Sequence, residues 1–102
     1  MNRTLQLGKA IRLLDHRRND EAIVLLQTII EESVTESDEL HHVQAVCILG
    51  GYWFEQGDLQ QAKKLLEKVS NIAIADELDD LLAYEFSRAK ELLNEIYKTQ
   101  GI

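Results

Sequence analysis

The sequence predicts an all-α fold of about five helices in a single domain spanning residues 1–102. Three observations lead to this prediction. The chain contains no proline and only 5 glycines, and proline is the residue that most often interrupts helices and marks loops. Apolar residues recur at intervals of three and four along most of the chain, as they do on one face of a helix. No segment shows the strict alternation that is typical of a half-buried strand.

The first two helices form a predicted antiparallel hairpin over about residues 3–33. The first helix, about 3–16, has an apolar stripe made by Leu7, Ala10, Ile11 and Leu14. A polar break follows, and we expect Asn19 to cap the second helix, about 20–33, because its side chain can accept from the free amides there. The apolar face of that helix consists of Ala22, Leu25, Leu26, Ile29 and Ile30.

A second hairpin is predicted over about residues 38–71. Its first helix runs to about Phe54 with Ser37 or Asp38 as its cap, and it is apolar on almost every side. A helix of that kind is normally buried on several faces. After Gly57, the pair Asp58 and Gln61 has the spacing of a capping box and opens the fourth helix, about 58–71.

The fifth helix is predicted over about residues 76–99. Its apolar residues fall at helical spacings, and they are Leu78, Leu82, Phe86, Ala89, Leu93 and Ile96. Acidic residues crowd its first turns and Lys98 lies in its last turn, which is the distribution that the helix dipole favours. We expect this helix to cap the end of the domain.

Charge and cysteine content restrict the possible partners and compartments. The chain has 18 acidic and 11 basic residues, a net charge of −7. This balance argues against nucleic acid and anionic lipid as partners, because both bind basic surfaces. No apolar stretch approaches the roughly 20 residues of a membrane span. A lone Cys47 and no recognisable signal peptide predict a cytoplasmic protein. The middle third, residues 31–60, is the most acidic part, and it is either a solvated face or a docking surface for a basic partner.

Residues 49–69 carry a pattern that resembles the tetratricopeptide repeat, a helical hairpin motif. The matching residues are Leu49, Gly50, Trp53, Gly57, Ala62, Leu66 and Val69. The first hairpin matches less closely, because Arg17 stands where the turn glycine is expected. Ala22 and Ala62 occupy the same motif position 40 residues apart, a spacing similar to the long-helix variants of kinesin light chains and of peptide-sensing bacterial regulators. The resemblance implies a short right-handed solenoid whose first helices line an inner groove.

The same resemblance implies which residues face a partner. In the second hairpin they are Gln44, Cys47, Gly51, Phe54 and Glu55, and in the first they are Thr4, Leu7, Ile11, Leu14 and Asp15. We expect the groove to lie between these first helices and the capping fifth helix. Leu7, Ile11, Cys47 and Phe54 are expected to act as its apolar anchors, with Glu39 and Glu55 steering from the rim. An amphipathic helix or an extended peptide with a basic flank would suit such a groove. Alternatively, the fifth helix covers this surface, and Cys47 and Phe54 belong to the core.

No arrangement of residues in the sequence indicates catalysis, a cofactor or a metal. His41 and His42 are adjacent and would point about 100° apart on a helix, so they cannot hold one ion together, and we interpret them as solvated. Cys47 is interpreted as a buried, inert thiol, and Gly50 and Gly51 as sites of close helix packing. The sequence therefore predicts a non-catalytic protein-interaction module. The alternatives are a dedicated chaperone, similar to small secretion chaperones, and a self-assembling subunit that forms a homo-oligomer.

Overall fold

The computed structural model describes residues 2–71 and 80–99, and this part of the chain contains five helices and no strand. The all-α prediction is therefore confirmed. In chain order the helices are α1 (Arg3–Asp15), α2 (Asn19–Thr35), α3 (Glu39–Glu55), α4 (Leu59–Ser70) and α5 (Ala83–Thr99). The bounds of α1 to α4 lie within two residues of the predicted ones. The predicted start of the fifth helix, at about 76, lies outside the described residues, and α5 begins at Ala83 after a turn at Leu82.

Successive helices pack against one another, and α3 lies at the centre. Contacts join α1 to α2, α2 to α3, α3 to α4 and α4 to α5, and α3 also contacts α1 and α5. The links between the first four helices are three residues long, which is short enough to place neighbouring helices side by side. This central position explains why α3 is apolar on nearly every side, because neighbouring helices cover it from several directions.

Three turns of the same geometry follow α1, α2 and α3. Arg17, Ser37 and Gly57 have φ angles of 60°, 57° and 84°, and they stand twenty residues apart. After each of them, an amide donates back to a carbonyl five residues earlier in a Schellman arrangement: Arg18 to Leu13, Asp38 to Ser33 and Asp58 to Trp53, at 2.8, 2.8 and 2.9 Å. Arg17 thus adopts the conformation expected of the turn glycine, although its side chain makes that conformation costly.

The helix caps agree with the sequence except at one position. Asp38 caps α3 through the His41 amide, and Asp58 caps α4 through the Gln61 amide. The Gln61 side chain donates to the Asp58 carboxylate at 2.8 Å because the Asp58 amide already donates to Trp53. The predicted cap Asn19 is wrong. The turn at Arg17 brings Asn19 into the first turn of α2, and the capping position falls on Arg18, which makes no side-chain cap bond.

Two apolar clusters form the core and meet on α3. One lies among α1, α2 and α3, with the buried residues Leu7, Ala10, Leu26, Ile29, Ala45 and Leu49. The other lies among α3, α4 and the segment Leu82 to Ile96, with the buried residues Val43, Val46, Ala62, Leu66, Val69, Leu82, Ala89, Leu92, Leu93 and Ile96. Ile30, Trp53 and Leu65 pack against both. This arrangement leaves one face of α3, between α1 and α5, uncovered at its middle.

Candidate functional site

A groove of about 600 Å³ lies on the face of α3 that is flanked by α1 and α5. Residues on α3 form its middle, and residues on α1 and α5 form its two sides. Its lining consists of Thr4, Leu7, Gly8 and Ile11 from α1, Gln44, Cys47, Ile48, Gly51 and Glu55 from α3, and Tyr84, Glu85, Arg88 and Leu92 from α5. These positions recur at intervals of three and four, so each helix presents one face to the groove.

Most residues that the repeat resemblance assigned to a partner surface line this groove. Seven of those ten residues do so: Thr4, Leu7, Ile11, Gln44, Cys47, Gly51 and Glu55. They come from two helices that are remote in sequence, and the packing of α1 on α3 brings them together. Whether they bind a partner stays a prediction, but their shared location is a feature of the fold.

Leu14, Phe54 and Glu39 lie elsewhere. Leu14 borders a separate, more polar depression beside Asp15 and Tyr52. Phe54 is half-buried and packs against the core cluster among α3, α4 and α5. Glu39 is exposed in the first turn of α3. Cys47 is half-buried against the same cluster as Phe54 but also lines the groove.

The groove was expected between the first helices and the capping helix, but none of the residues that α5 contributes to it was predicted. Tyr84 is 74% exposed, and across the groove Ile11 on α1 is 44% exposed. Two apolar side chains therefore remain accessible to solvent along its edges. The spacing of Tyr84, Arg88 and Leu92, which is one residue in four, is the signal in the sequence that could have identified this face.

One thiol, that of Cys47, borders the groove. The Cys47 Sγ donates to the Glu85 carbonyl oxygen at 3.6 Å, which joins α3 to α5. Burial, and then the negative charge of Glu85, raise the pKa of Cys47 to about 12. The thiol therefore stays protonated at neutral pH and is a poor nucleophile, as the sequence suggested. The Glu85 Oε2 atom is buried and has no hydrogen-bond partner.

A polar network joins the start of α1 to the start of α3, at the end of the groove nearest Thr4. Arg3 contacts Glu36 at 2.6 Å and Asp38 at 2.9 Å. The His41 Nδ1 lies 2.7 Å from the Asp38 Oδ2, and its Nε2 lies 3.0 Å from the Thr4 hydroxyl. The interpretation of the adjacent histidines as solvated is therefore wrong. His42 is also partly buried, with its Nδ1 3.2 Å from the Ser33 hydroxyl.

Asp38, His41 and Thr4 form a chain of contacts that resembles the carboxylate, imidazole and hydroxyl of a hydrolase catalytic triad. The surroundings of these residues nevertheless favour a structural role. The amides of Thr4 and Leu5 already donate to the Asn2 side chain at 2.9 and 3.3 Å. These amides are thus not available to stabilise an oxyanion. The network is best understood as a link between two helix ends.

The Asp38 carboxyl is the electrostatic centre of this link. Burial alone would raise its pKa, but hydrogen bonds from the His41 side chain and amide, together with the charge of His41 and the hydrogen bond from Arg3, outweigh burial. The pKa of Asp38 is therefore lowered from its ordinary value, so the link is strongest with the carboxylate ionised.

Within residues 2–71 and 80–99, no three His, Cys, Asp or Glu side chains are placed to hold a metal ion. In the same part of the chain, no helix is both long and apolar enough to cross a bilayer. Comparisons with protein-family models, with curated proteins and with solved structures found no match to this chain. The groove and the residues that line it are therefore the basis for assigning a function.

Proposed function

We propose that this protein is a non-catalytic interaction module that binds an amphipathic helix of a partner protein in the groove between α1, α3 and α5. The observation that carries the proposal is the groove itself, about 600 Å³ in volume and lined by apolar side chains from three helices. The exposure of Ile11 and Tyr84 along its edges supports it, because apolar surface beside a concave site is typical of binding sites.

The dimensions of the groove suit a short helical segment. On α3 it extends from Gln44 to Glu55, and a rise of about 1.5 Å per residue makes this distance roughly 16 Å. A bound helix of about three turns has the same length. Such a helix presents apolar side chains at intervals of three and four, which can contact both sides of a groove.

We further propose that the fold is of the tetratricopeptide type, with two hairpins of 40-residue spacing followed by α5. The twenty-residue spacing of the turns at Arg17, Ser37 and Gly57 supports this assignment. The close approach of α3 and α4 at Gly50, where a Cβ would lie 3.0 Å from Leu66, supports it too. In such a fold the first helix of each hairpin lines the groove, as α1 and α3 do here.

The exposed apolar edge also favours a second candidate function, that of a small chaperone that shields the apolar helix of one client. The two functions differ in how the protein behaves alone. An adaptor is expected to remain monomeric and folded without its partner, whereas a dedicated chaperone is expected to be unstable alone and to aggregate without a fixed stoichiometry. Light scattering over a concentration series distinguishes them, and reversible dimers whose groove is filled by a second copy would favour the self-assembling subunit.

A peptide selection tests the proposed groove. A displayed library of amphipathic helical peptides is selected on the wild-type protein, and the dissociation constants of the selected peptides are then measured. Ile11→Asp is expected to weaken binding at least about tenfold by placing a charge at an apolar contact. Val24→Asp is the matched control, because Val24 is 63% exposed on α2 outside the groove. Circular dichroism must show equal helicity, and unchanged binding by Ile11→Asp would refute the groove.

A further inference from the structure

We infer that two copies of this chain associate through the outer face of the α1–α2 hairpin, as a weak dimer with two-fold symmetry that leaves the groove open. A shallow depression of about 430 Å³ marks this face. Its lining includes Lys9 and Leu13 from α1 and Glu21, Val24 and Leu25 from α2. None of the residues that line it also lines the groove, so the inference does not depend on the proposed function.

Apolar side chains are exposed on this face. Val24 is 63% exposed, and Leu5, one turn before Lys9 on α1, is 70% exposed. Helix α5 lies at the other end of the series of packed helices, and there every exposed residue from 87 to 99 is polar. A polar outer surface is what keeps the end of a helical stack soluble. Apolar side chains beside a depression are instead typical of an interaction surface.

The charges of the two helices favour a second copy as the occupant. Helix α1 carries three basic residues and one acidic residue, a net charge of +2, whereas α2 carries four acidic residues and no basic one, a net charge of −4. In the depression, Lys9 lies on the α1 side, and Asp20 and Glu21 lie on the α2 side. A face with opposite charges on its two sides is complementary to itself after a rotation of 180°.

The side chains of Lys9 and Glu21 are both available for such a contact. Lys9 forms no ion pair with any residue that the structure describes. Glu21 contacts Arg18 at 2.7 Å, but its side chain remains 55% exposed. It can therefore accept a second cation from another molecule.

Only one direction of the two-fold axis brings opposite charges together. An axis parallel to the hairpin places α1 of each copy over α2 of the other, so Lys9 of one copy faces the acidic residues of the second. Leu13, Val24 and Leu25 then meet in the middle of four helices. An axis across the hairpin would place α1 on α1 and α2 on α2, where like charges repel.

The size of the face makes the association weak. Helix α1 has 13 residues, which gives a length of about 20 Å, and two neighbouring helices are roughly 20 Å wide. The footprint of roughly 400 Å² per copy corresponds to a small, transient interface. We therefore expect a dissociation constant of about 10–100 µM. At lower concentrations the protein is monomeric, as an adaptor without its partner should be.

Sedimentation equilibrium measures the association. Over a concentration range of about 5–500 µM, the wild-type protein is expected to pass reversibly from monomer to dimer. Val24→Asp should weaken the dimer at least about tenfold, because each copy then places a carboxylate at an apolar contact. Val34→Asp is the matched control and should leave the dimer unchanged, because Val34 is 62% exposed on α2 but lies outside the depression. Circular dichroism must show equal helicity for all three proteins.

A charge exchange tests which helices face each other. Lys9→Glu and Glu21→Lys should each weaken self-association at least about tenfold, since like charges then meet at both α1–α2 contacts. An equimolar mixture of the two variants should restore the dissociation constant to within about threefold of the wild-type value, because every contact in the mixed dimer again joins opposite charges. The wild-type dimer should weaken as salt is raised.

The outcomes separate this inference from the proposed function. A wild-type protein that stays monomeric at the highest of these concentrations, a dimer that survives Val24→Asp, or charge variants that do not restore each other would overturn the inference. None of these results concerns peptide binding, which is tested by Ile11→Asp. A dimer that is lost in Ile11→Asp but kept in Val24→Asp would place the second copy in the groove instead. Loss in Val24→Asp, persistence in Val34→Asp and recovery in the mixture would support the inferred interface.

Discussion

Gly50 and Gly51 are neighbours in α3 with opposite environments. A Cβ at Gly50 would lie 3.0 Å from the Cδ2 and 3.1 Å from the Cγ of Leu66, whereas a Cβ at Gly51 would meet no atom within 4 Å. Both were expected to mark close helix packing, but this applies only to Gly50. Gly51 lines the groove, where the missing side chain leaves open space.

We expect alanine substitutions at these two positions to change stability in opposite directions. Gly50→Ala should lower the free energy of unfolding by about 1 kcal/mol, because the fully buried Leu66 has little freedom to move away. Gly51→Ala should raise it by about 0.5–1 kcal/mol through helix propensity alone. Urea denaturation followed by circular dichroism measures both. Equal shifts of the same sign would contradict the assigned environments.

Asp38 provides a prediction of pH dependence. Its pKa is lowered in the folded protein, so its ionised form stabilises the fold. This contribution is complete above the unfolded-state pKa of about 3.9 and is lost as the pH falls through the lower folded-state pKa. Asp38→Asn keeps a capping oxygen but loses the charge that pairs with Arg3 and His41. It should lower the free energy of unfolding by about 1–2 kcal/mol at neutral pH.

The difference between wild type and Asp38→Asn should therefore shrink as the pH falls below about 4. Denaturant titrations at several pH values measure this difference directly, because the other carboxyl groups are common to both proteins. Asp20→Asn is a suitable control, because Asp20 is exposed in the first turn of α2 outside this network. A difference that is constant from neutral to acidic pH would show that Asp38 acts only as a neutral cap.

At the scale of the helices, the three turns at twenty-residue intervals are the most regular feature of the chain. Glycine occupies one of them, and Arg17 and Ser37 occupy the other two with φ values near 60°. The backbone bonds that close the turns are nearly identical. The turn geometry is therefore set by the packing of successive helices, and the side chain at the left-handed position adjusts to it at some cost.

Glycine substitutions in these turns should consequently be stabilising. Arg17→Gly and Ser37→Gly are each expected to raise the free energy of unfolding by about 0.5 kcal/mol, the gain at positive φ exceeding the entropic cost of glycine. Gly57→Ala should lower it by about 1 kcal/mol. Gln56→Gly is the control. Gln56 has a φ of −78°, which side chains adopt without strain, so glycine there should only lower the free energy of unfolding through its entropic cost. Thermal and urea denaturation measure the four variants, and a destabilising Arg17→Gly would contradict the explanation.

In the molecule as a whole, α3 joins the two core clusters into one continuous core. It contacts each of the other four described helices, and residues such as Trp53 pack against both clusters. Helix α5 depends on this arrangement, because its buried residues pack on α3 and α4. The side of the groove that α5 provides exists only while this packing persists.

Ile96→Ala tests whether α5 unfolds together with the rest of the protein. Ile96 is fully buried, so its truncation should lower the free energy of unfolding by about 2–4 kcal/mol. We expect a single transition at lower urea concentration, with the same slope as wild type. Glu95→Ala, at an exposed neighbouring position, should have an effect below about 0.5 kcal/mol. Two separate transitions in Ile96→Ala would show instead that α5 unfolds independently.

Much of the local structure was predictable because its causes are local. The apolar stripe through Leu7 and Ala10, and the caps Asp38 and Asp58, depend on residues within one or two turns of each other. The error at Asn19 arose because the left-handed turn at Arg17 shifted the start of α2, and an arginine does not mark such a turn in the sequence. The groove residues on α1 and α3 except Gly8 and Ile48 were predicted through the repeat resemblance, whereas Tyr84 and Glu85 were not, because α5 lacks that pattern.

Three features could be predicted from the order of the residues alone: that this protein is helical, where its first four helices begin and end to within two residues, and that α3 is covered on several faces. Those features follow from the spacing of apolar residues and from capping groups close to each other in the chain. The packing of the helices sets which face of α3 stays open, that Cys47 borders the groove while Phe54 does not, and that one Glu85 oxygen is buried without a partner. Those features depend on how α5 docks, and docking is set by contacts between residues far apart in the sequence.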